Sequence, residues 1–88
     1  MSNKKYSIIV PCYNEENTVF NVINSICDKF PNFLIVAVDD GSTDNSYFEL
    51  QKIKSDNLKL IKCDSNHGKG YAMRKGLEYV KSKSDIVI

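Results

Sequence analysis

Apolar positions along the chain recur in blocks of two periods, one of strands and one of helices. Tyr6 to Val10 is a short run dominated by Ile and Val, which predicts a strand. Pro11, with no N–H for a ladder, is expected to close it. From Asn17 to Phe30 the positions Val19, Val22, Ile23, Ile26, Cys27 and Phe30 follow helical spacing. Asn14 or Asn17 offers an N-cap, Glu15 and Glu16 suit the positive helix start, and Pro31 stops the helix. Phe33 to Val38 is apolar throughout, as expected of a strand buried on both faces of a parallel sheet. Ser42 to Ser55 reads as a second helix, capped by Ser42 or Thr43, with Asp44 in its first turn and Tyr47, Leu50 and Ile53 on one face. Leu58 to Cys63 predicts a third strand and Asp85 to Ile88 a fourth. Between them, Gly70 to Lys83 predicts a helix with Ala72, Met73, Gly76, Leu77 and Val80 facing inward. Gly76 there costs up to about 1 kcal/mol of helix propensity, unless close approach to a sheet offsets it.

The order β-α-β-α-β-α-β with short connections predicts an α/β fold: a parallel, Rossmann-like sheet with right-handed crossovers. Its 88 residues form a single domain, below the roughly 100 to 200 usual for one, so a second domain is excluded. Ligands in such sheets sit beyond the carboxyl ends of the strands. Three loops therefore matter: Pro11 to Glu16, Asp39 to Asp44 and Asp64 to Gly70.

Charge and cysteine content narrow the classes. A net charge of +1 gives no basic field for nucleic acid. Hydrophobic residues at 42% and charged residues at 26% fit a folded chain rather than a disordered one. Cys12, Cys27 and Cys63 are odd in number and widely spread, which reads as three reduced thiols in a cytoplasmic protein without a metal site. No run approaches the ~18 apolar residues of a membrane span.

Each loop has a bland reading beside a functional one. In PCYNEE a flat aromatic could stack on a base while a carboxylate takes ribose hydroxyls, or Asn14, Glu15 and Glu16 could merely cap and balance the helix. In DDGSTD, three carboxylates crowd six residues, which costs repulsion unless hydroxyls, base N–H groups or a cation bind there. Alternatively the segment is a turn and cap, with Gly41 free to take positive φ. In NHGKG, glycine amides and Lys69, with Arg74 one turn into the helix, suit a diphosphate.

Together the runs SIIVPCYNEE, IVAVDDGSTDNS and NHGKGYAMRKGL, over residues 6–88, resemble the N-terminal half of the nucleotide-sugar domain of family 2 glycosyltransferases with the GT-A fold. The branch most similar contains dolichol-phosphate mannose synthase and undecaprenyl-phosphate sugar transferases. The resemblance implies Pro11 and Tyr13 against the nucleobase, Glu15 on the nucleotide, Asp40 on base or ribose, and Lys69 and Arg74 near ribose and phosphates. It also implies an inverting transfer from a nucleoside diphosphate sugar to an acceptor such as a lipid phosphate or polysaccharide, in a parent enzyme working at the cytoplasmic membrane face. Mg²⁺ or Mn²⁺ would be held by an Asp-x-Asp motif that this sequence lacks, and the acidic catalytic base is likewise expected beyond Ile88. On that reading the chain is a truncated nucleoside-binding half, inactive alone. Two alternatives remain at this point. A receiver-type signalling domain would need its acidic pair after the first strand rather than the second, and a non-catalytic nucleotide-binding or interaction module would stop at Ile88.

Overall fold

The computed structural model describes residues 6–81 and the strand at 86–87. Its elements run β1 (Tyr6–Cys12), α1 (Val19–Lys29), β2 (Phe33–Asp39), α2 (Ser46–Gln51), β3 (Leu58–Lys62), α3 (Lys69–Val80) and β4 (Ile86–Val87). The order expected from the sequence holds, and every strand pairing is parallel, in the order β3-β2-β1-β4. Asp85, Ile88 and the end of the third helix through Lys83 lie outside the described residues.

Right-handed crossovers explain the two layers of helix. The steps from β1 to β2 and from β2 to β3 move the same way, so α1 and α2 share one face. The step from β3 to β4 returns past both, so α3 takes the other. Alternation along β2 serves both faces: Ile35 and Ala37 pack with Val19, Ile23, Cys27 and Leu50, while Val36 and Val38 pack with Ala72 and Val80. Fully buried side chains such as Ile23 and Ile35 each contribute about 1.5–3 kcal/mol through burial. Gly76 lies where α3 meets the sheet, and a Cβ there would stand 2.5 Å from Ile9 Cγ2. That close approach offsets its weak helix propensity.

Several expectations need correction. Pro11 does not close β1, because the strand runs to Cys12 with Pro11 opposite Val38. The Cys12 carbonyl accepts from Asp40 N, so the backbone of Cys12 faces β2 and the missing N–H of Pro11 faces the other side. The described β4 pairs there only with Tyr6 and Ser7, so among the described residues no ladder bond is lost at Pro11. Neither Asn14 nor Asn17 caps α1, whose N-cap is Thr18, without a side-chain bond. The buried stripe of α1 is narrower than the periodicity implies, with Val22 and Phe30 exposed, and Leu77 of α3 is exposed as well. The second helix begins at Ser46, not Ser42, because the Ser42 N–H and hydroxyl are both committed to Asp39. It also ends at Gln51, leaving Ile53 beyond it.

Far from the strand carboxyl ends, buried Asn57 donates through Nδ2 to the carbonyls of Cys27, Phe30 and Phe33. It closes the opposite end of the sheet with no part in the loops that follow.

Candidate functional site

Three loops meet beyond the carboxyl ends of β1, β2 and β3, where parallel strands leave a crevice. Between them lies a cleft of about 290 Å³ lined by Pro11, Cys12, Tyr13, Glu15, Asp40, Asn66, Gly68 and Lys69. Of the six residues singled out from the sequence, Pro11, Tyr13, Glu15, Asp40 and Lys69 are thus brought together. Arg74 lies exposed on α3 and is not among the lining residues.

Of the two readings of the acidic loop, internal hydrogen bonding accounts for its crowding without a ligand. Each carboxylate has separate donors. Asp39, fully buried, accepts from Ser42 N at 3.1 Å and Ser42 Oγ at 2.6 Å. Asp40, 3% exposed, accepts from His67 N at 3.1 Å, Gly68 N at 3.0 Å and Asn66 Nδ2 at 3.0 Å. Asp44 accepts from Ser46 N and Oγ and from Glu16 N. The hydroxyl bond from Ser46 is the main reason its carboxyl titrates below the usual value, and partial desolvation opposes it.

Asp40 is therefore first an anchor for the third loop. A carboxylate offers about four lone-pair sites, so three bonds leave capacity for one more in a residue that lines the cleft. Gly41 follows at φ +70°, and a Cβ there would be driven into the Ser65–Asn66 peptide, so the second and third loops meet backbone to backbone without a gap. The glycine-amide expectation for a diphosphate is likewise altered, because the N–H groups of His67 and Gly68 serve Asp40. The first bond of α3 joins Ala72 N to Gly68 O. The N–H groups of Lys69, Gly70 and Tyr71 precede it at the positive helix end.

The first loop is tied to the second. Its consecutive N–H groups at Asn14, Glu15 and Glu16 donate to Ser42 Oγ, Ser46 Oγ and Asp44 Oδ2. In return Thr43 N and Asn45 N donate to Asn14 Oδ1 and Glu16 Oε1. These cross-links span some thirty residues of chain, so sequence inspection had no signal for them. Asn66 was visible in a polar stretch without a role, and Cys12 was read only as a bystander thiol. Cys12 lies 3% exposed at the cleft, its thiol pushed up to about 12 by burial and by the charges of Glu15 and Asp39.

The family model for glycosyl transferase family 2 matches residues 7–88. The chain belongs to that family. Among its relatives, a dolichyl-phosphate beta-glucosyltransferase of Saccharomyces cerevisiae is 35% identical over 89 residues, covering 88% of this chain and 27% of that protein. A poly-beta-1,6-N-acetyl-D-glucosamine synthase of Staphylococcus epidermidis is 30% identical over 74 residues, covering 82% of this chain and 18% of the relative. A solved mannosyltransferase from Pyrobaculum calidifontis, in complex with GDP-Man and Mn²⁺, superposes with a TM-score of 0.69 at 20% identity. It covers 90% of this chain and 25% of that one, and it establishes the shared GT-A fold. This family 2 chain thus spans about a fifth to a quarter of the length of these proteins. A receiver domain is set aside by the same finding.

A divalent cation such as Mg²⁺ needs several hard oxygens open to one point. Among the described residues no three His, Cys, Asp or Glu side chains gather in that way. The carboxylates of Asp39, Asp40 and Asp44 point at N–H and O–H donors that a cation would have to displace. The sequence has no Asp-x-Asp. The described residues therefore do not fit the metal. Among them, also, no helix is long and apolar enough to cross a membrane.

Proposed function

We propose that this family 2 chain forms the nucleoside-binding half of a donor site for inverting transfer of a sugar from a nucleoside diphosphate. In that reaction an acceptor oxygen attacks the anomeric carbon, the bond to the diphosphate oxygen breaks, and the nucleoside diphosphate leaves with the electron pair. The observation that carries the reading is the convergence of Pro11, Tyr13, Glu15, Asp40 and Lys69 on one cleft beyond the parallel strands. At about 290 Å³ the cleft is at the lower end of the ~300 Å³ and upward of ligand pockets, as suits part of a donor site.

Tyr13, 42% exposed at the cleft, offers its face to the base beside Pro11. Glu15 and the remaining acceptor of Asp40 take ribose hydroxyls or base N–H groups. Lys69, at the start of α3, turns its ammonium and the helix end toward the phosphates. Arg74, a turn further on, meets the outer phosphate from the rim. No residue of this chain is assigned as catalytic base, and its part is to bind and orient the donor. The names of the relatives support a lipid phosphate or a polysaccharide as acceptor. The three free, buried cysteines suit a reducing, cytoplasmic compartment.

Titration with UDP-glucose and with GDP-mannose, followed by amide NMR, tests the reading. Shifts at Tyr13, Glu15, Asp40 and Gly68 are expected with either donor or both. Millimolar donor that moves none of these resonances refutes it.

A further inference from the structure

We propose that Ser46 is a positioning residue for nucleoside diphosphate binding, setting the place of Glu15 in the cleft without touching the ligand. The proposal rests on the donor-site reading above and deepens it. Ser46 is fully buried at the start of α2 and does not line the cleft. Its hydroxyl accepts the Glu15 N–H at 2.7 Å and donates to Asp44 Oδ1 at 2.6 Å. The Glu15 carbonyl in turn accepts from Thr18 N and Val19 N, which start α1. The backbone of this cleft residue is thus held on both sides, by a hydroxyl from the second loop and by the first helix.

The residue before Glu15 shows what the clamp resists. Asn14 stands at φ +50°, the left-handed region that is uncommon for non-glycine residues though more open to asparagine, between the cleft residues Tyr13 and Glu15. Its conformation persists because its N–H donates to Ser42 Oγ and its Oδ1 accepts from Thr43 N. Without the Ser46 hydroxyl, the Glu15 N–H loses its acceptor, and the turn is held only from the Asn14 side, by Ser42 and Thr43, so Glu15 is free to shift. Glu15 would then swing relative to Asp40, which is fixed separately by the third loop.

UDP and GDP serve as probes, titrated into the wild type, Ser46→Ala, Ser42→Ala and Ile35→Val, with stability measured in parallel by urea unfolding. Ile35→Val is a control that removes a core methylene away from the cleft. Ser46→Ala is expected to bind the diphosphate roughly three- to tenfold more weakly, the scale of one lost hydrogen bond, and to move the Glu15 and Asn14 amide resonances before any ligand is added. Ser42→Ala, which frees the Asn14 N–H, is expected to do the same and serves alone should Ser46→Ala not fold. Ile35→Val is expected to lose stability with unchanged affinity. Equal affinities for wild type and both serine variants overturn the positioning role while leaving the donor site standing, as does an affinity loss in Ile35→Val that matches its stability loss. A wild type that binds neither UDP nor GDP overturns the donor-site reading and this inference with it.

Discussion

Replacing Asp40 by Asn keeps the size of the side chain and reverses half of its hydrogen bonding. The carboxylate accepts from His67 N on Oδ1 and from Gly68 N and Asn66 Nδ2 on Oδ2, at 3.0–3.1 Å, in a site only 3% exposed. An amide retains one acceptor oxygen and presents N–H groups where the other oxygen stood. The less costly orientation turns the oxygen toward Gly68 and Asn66, so the amide NH₂ confronts the His67 N–H; one charge-assisted bond disappears and the other two lose their charge. At ~1.5–3 kcal/mol for the bond lost to a charged group, with the other two weakened, the expected destabilisation is about 2–4 kcal/mol. A domain of this length holds on the order of 4–13 kcal/mol in total. The third loop should therefore release before the sheet does. Urea unfolding reads the global loss, and amide hydrogen exchange reads the local one: the His67 amide should approach the rate of an unfolded chain and the Gly68 amide should quicken less. A double-mutant cycle with Asn66→Ala should show coupling, since both changes act on one bond. A loss below about 1 kcal/mol with His67 and Gly68 still protected would refute the anchoring role.

Other changes follow from the same geometry. Gly41→Ala puts a Cβ into the Ser65–Asn66 peptide at a positive φ, and calorimetry should show a loss of at least about 2 kcal/mol. Gly76→Ala improves helix propensity yet crowds Ile9 Cγ2, so a net loss of about 1–2 kcal/mol is expected on urea unfolding rather than a gain. Cys12 keeps its proton in the fold up to about 12, whereas the unfolded chain releases it above 9.0. Stability should therefore fall as pH rises through that window, more steeply in the wild type than in Cys12→Ala by about 1.4 kcal/mol per pH unit. Asp44 works in the opposite sense: its lowered value stabilises the fold above 3.8, and that contribution should vanish as pH falls through the folded midpoint, which carbonyl NMR of the wild type can locate.

The layering was legible in the sequence because periodicity reports burial. Apolar residues at every position of Phe33 to Val38 announced a strand with helices on both sides, and β2 divides its side chains between two cores accordingly. Helix edges were less legible. Val22 and Phe30 fit the α1 stripe by spacing, yet one sheet and one short helix do not cover so wide a face, and both remain exposed. Pro11 misled for a different reason: a proline blocks a strand only where its missing N–H would meet a partner, and here that side has none among the described residues.

The polar loops show the limit of reading chemistry from composition. DDGSTD looked overcharged because its three carboxylates were weighed against one another, whereas the fold sets each against serine hydroxyls and backbone N–H groups. Most of those donors are backbone groups from segments up to 28 residues away, and every sequence supplies backbone groups, so composition carries no trace of the pairing. What the sequence does specify is the inequality between neighbours. Asp39 satisfies its carboxylate within its own turn, while Asp40 reaches across to the third loop and still borders the cleft. One residue can hold a loop and meet a ligand only if its remaining lone pair faces outward. It follows that ligand binding and loop order are coupled at Asp40: a donor that takes the fourth acceptor site draws on the same carboxylate that Asn66, His67 and Gly68 share, so binding should slow exchange of those amides even where the ligand does not touch them.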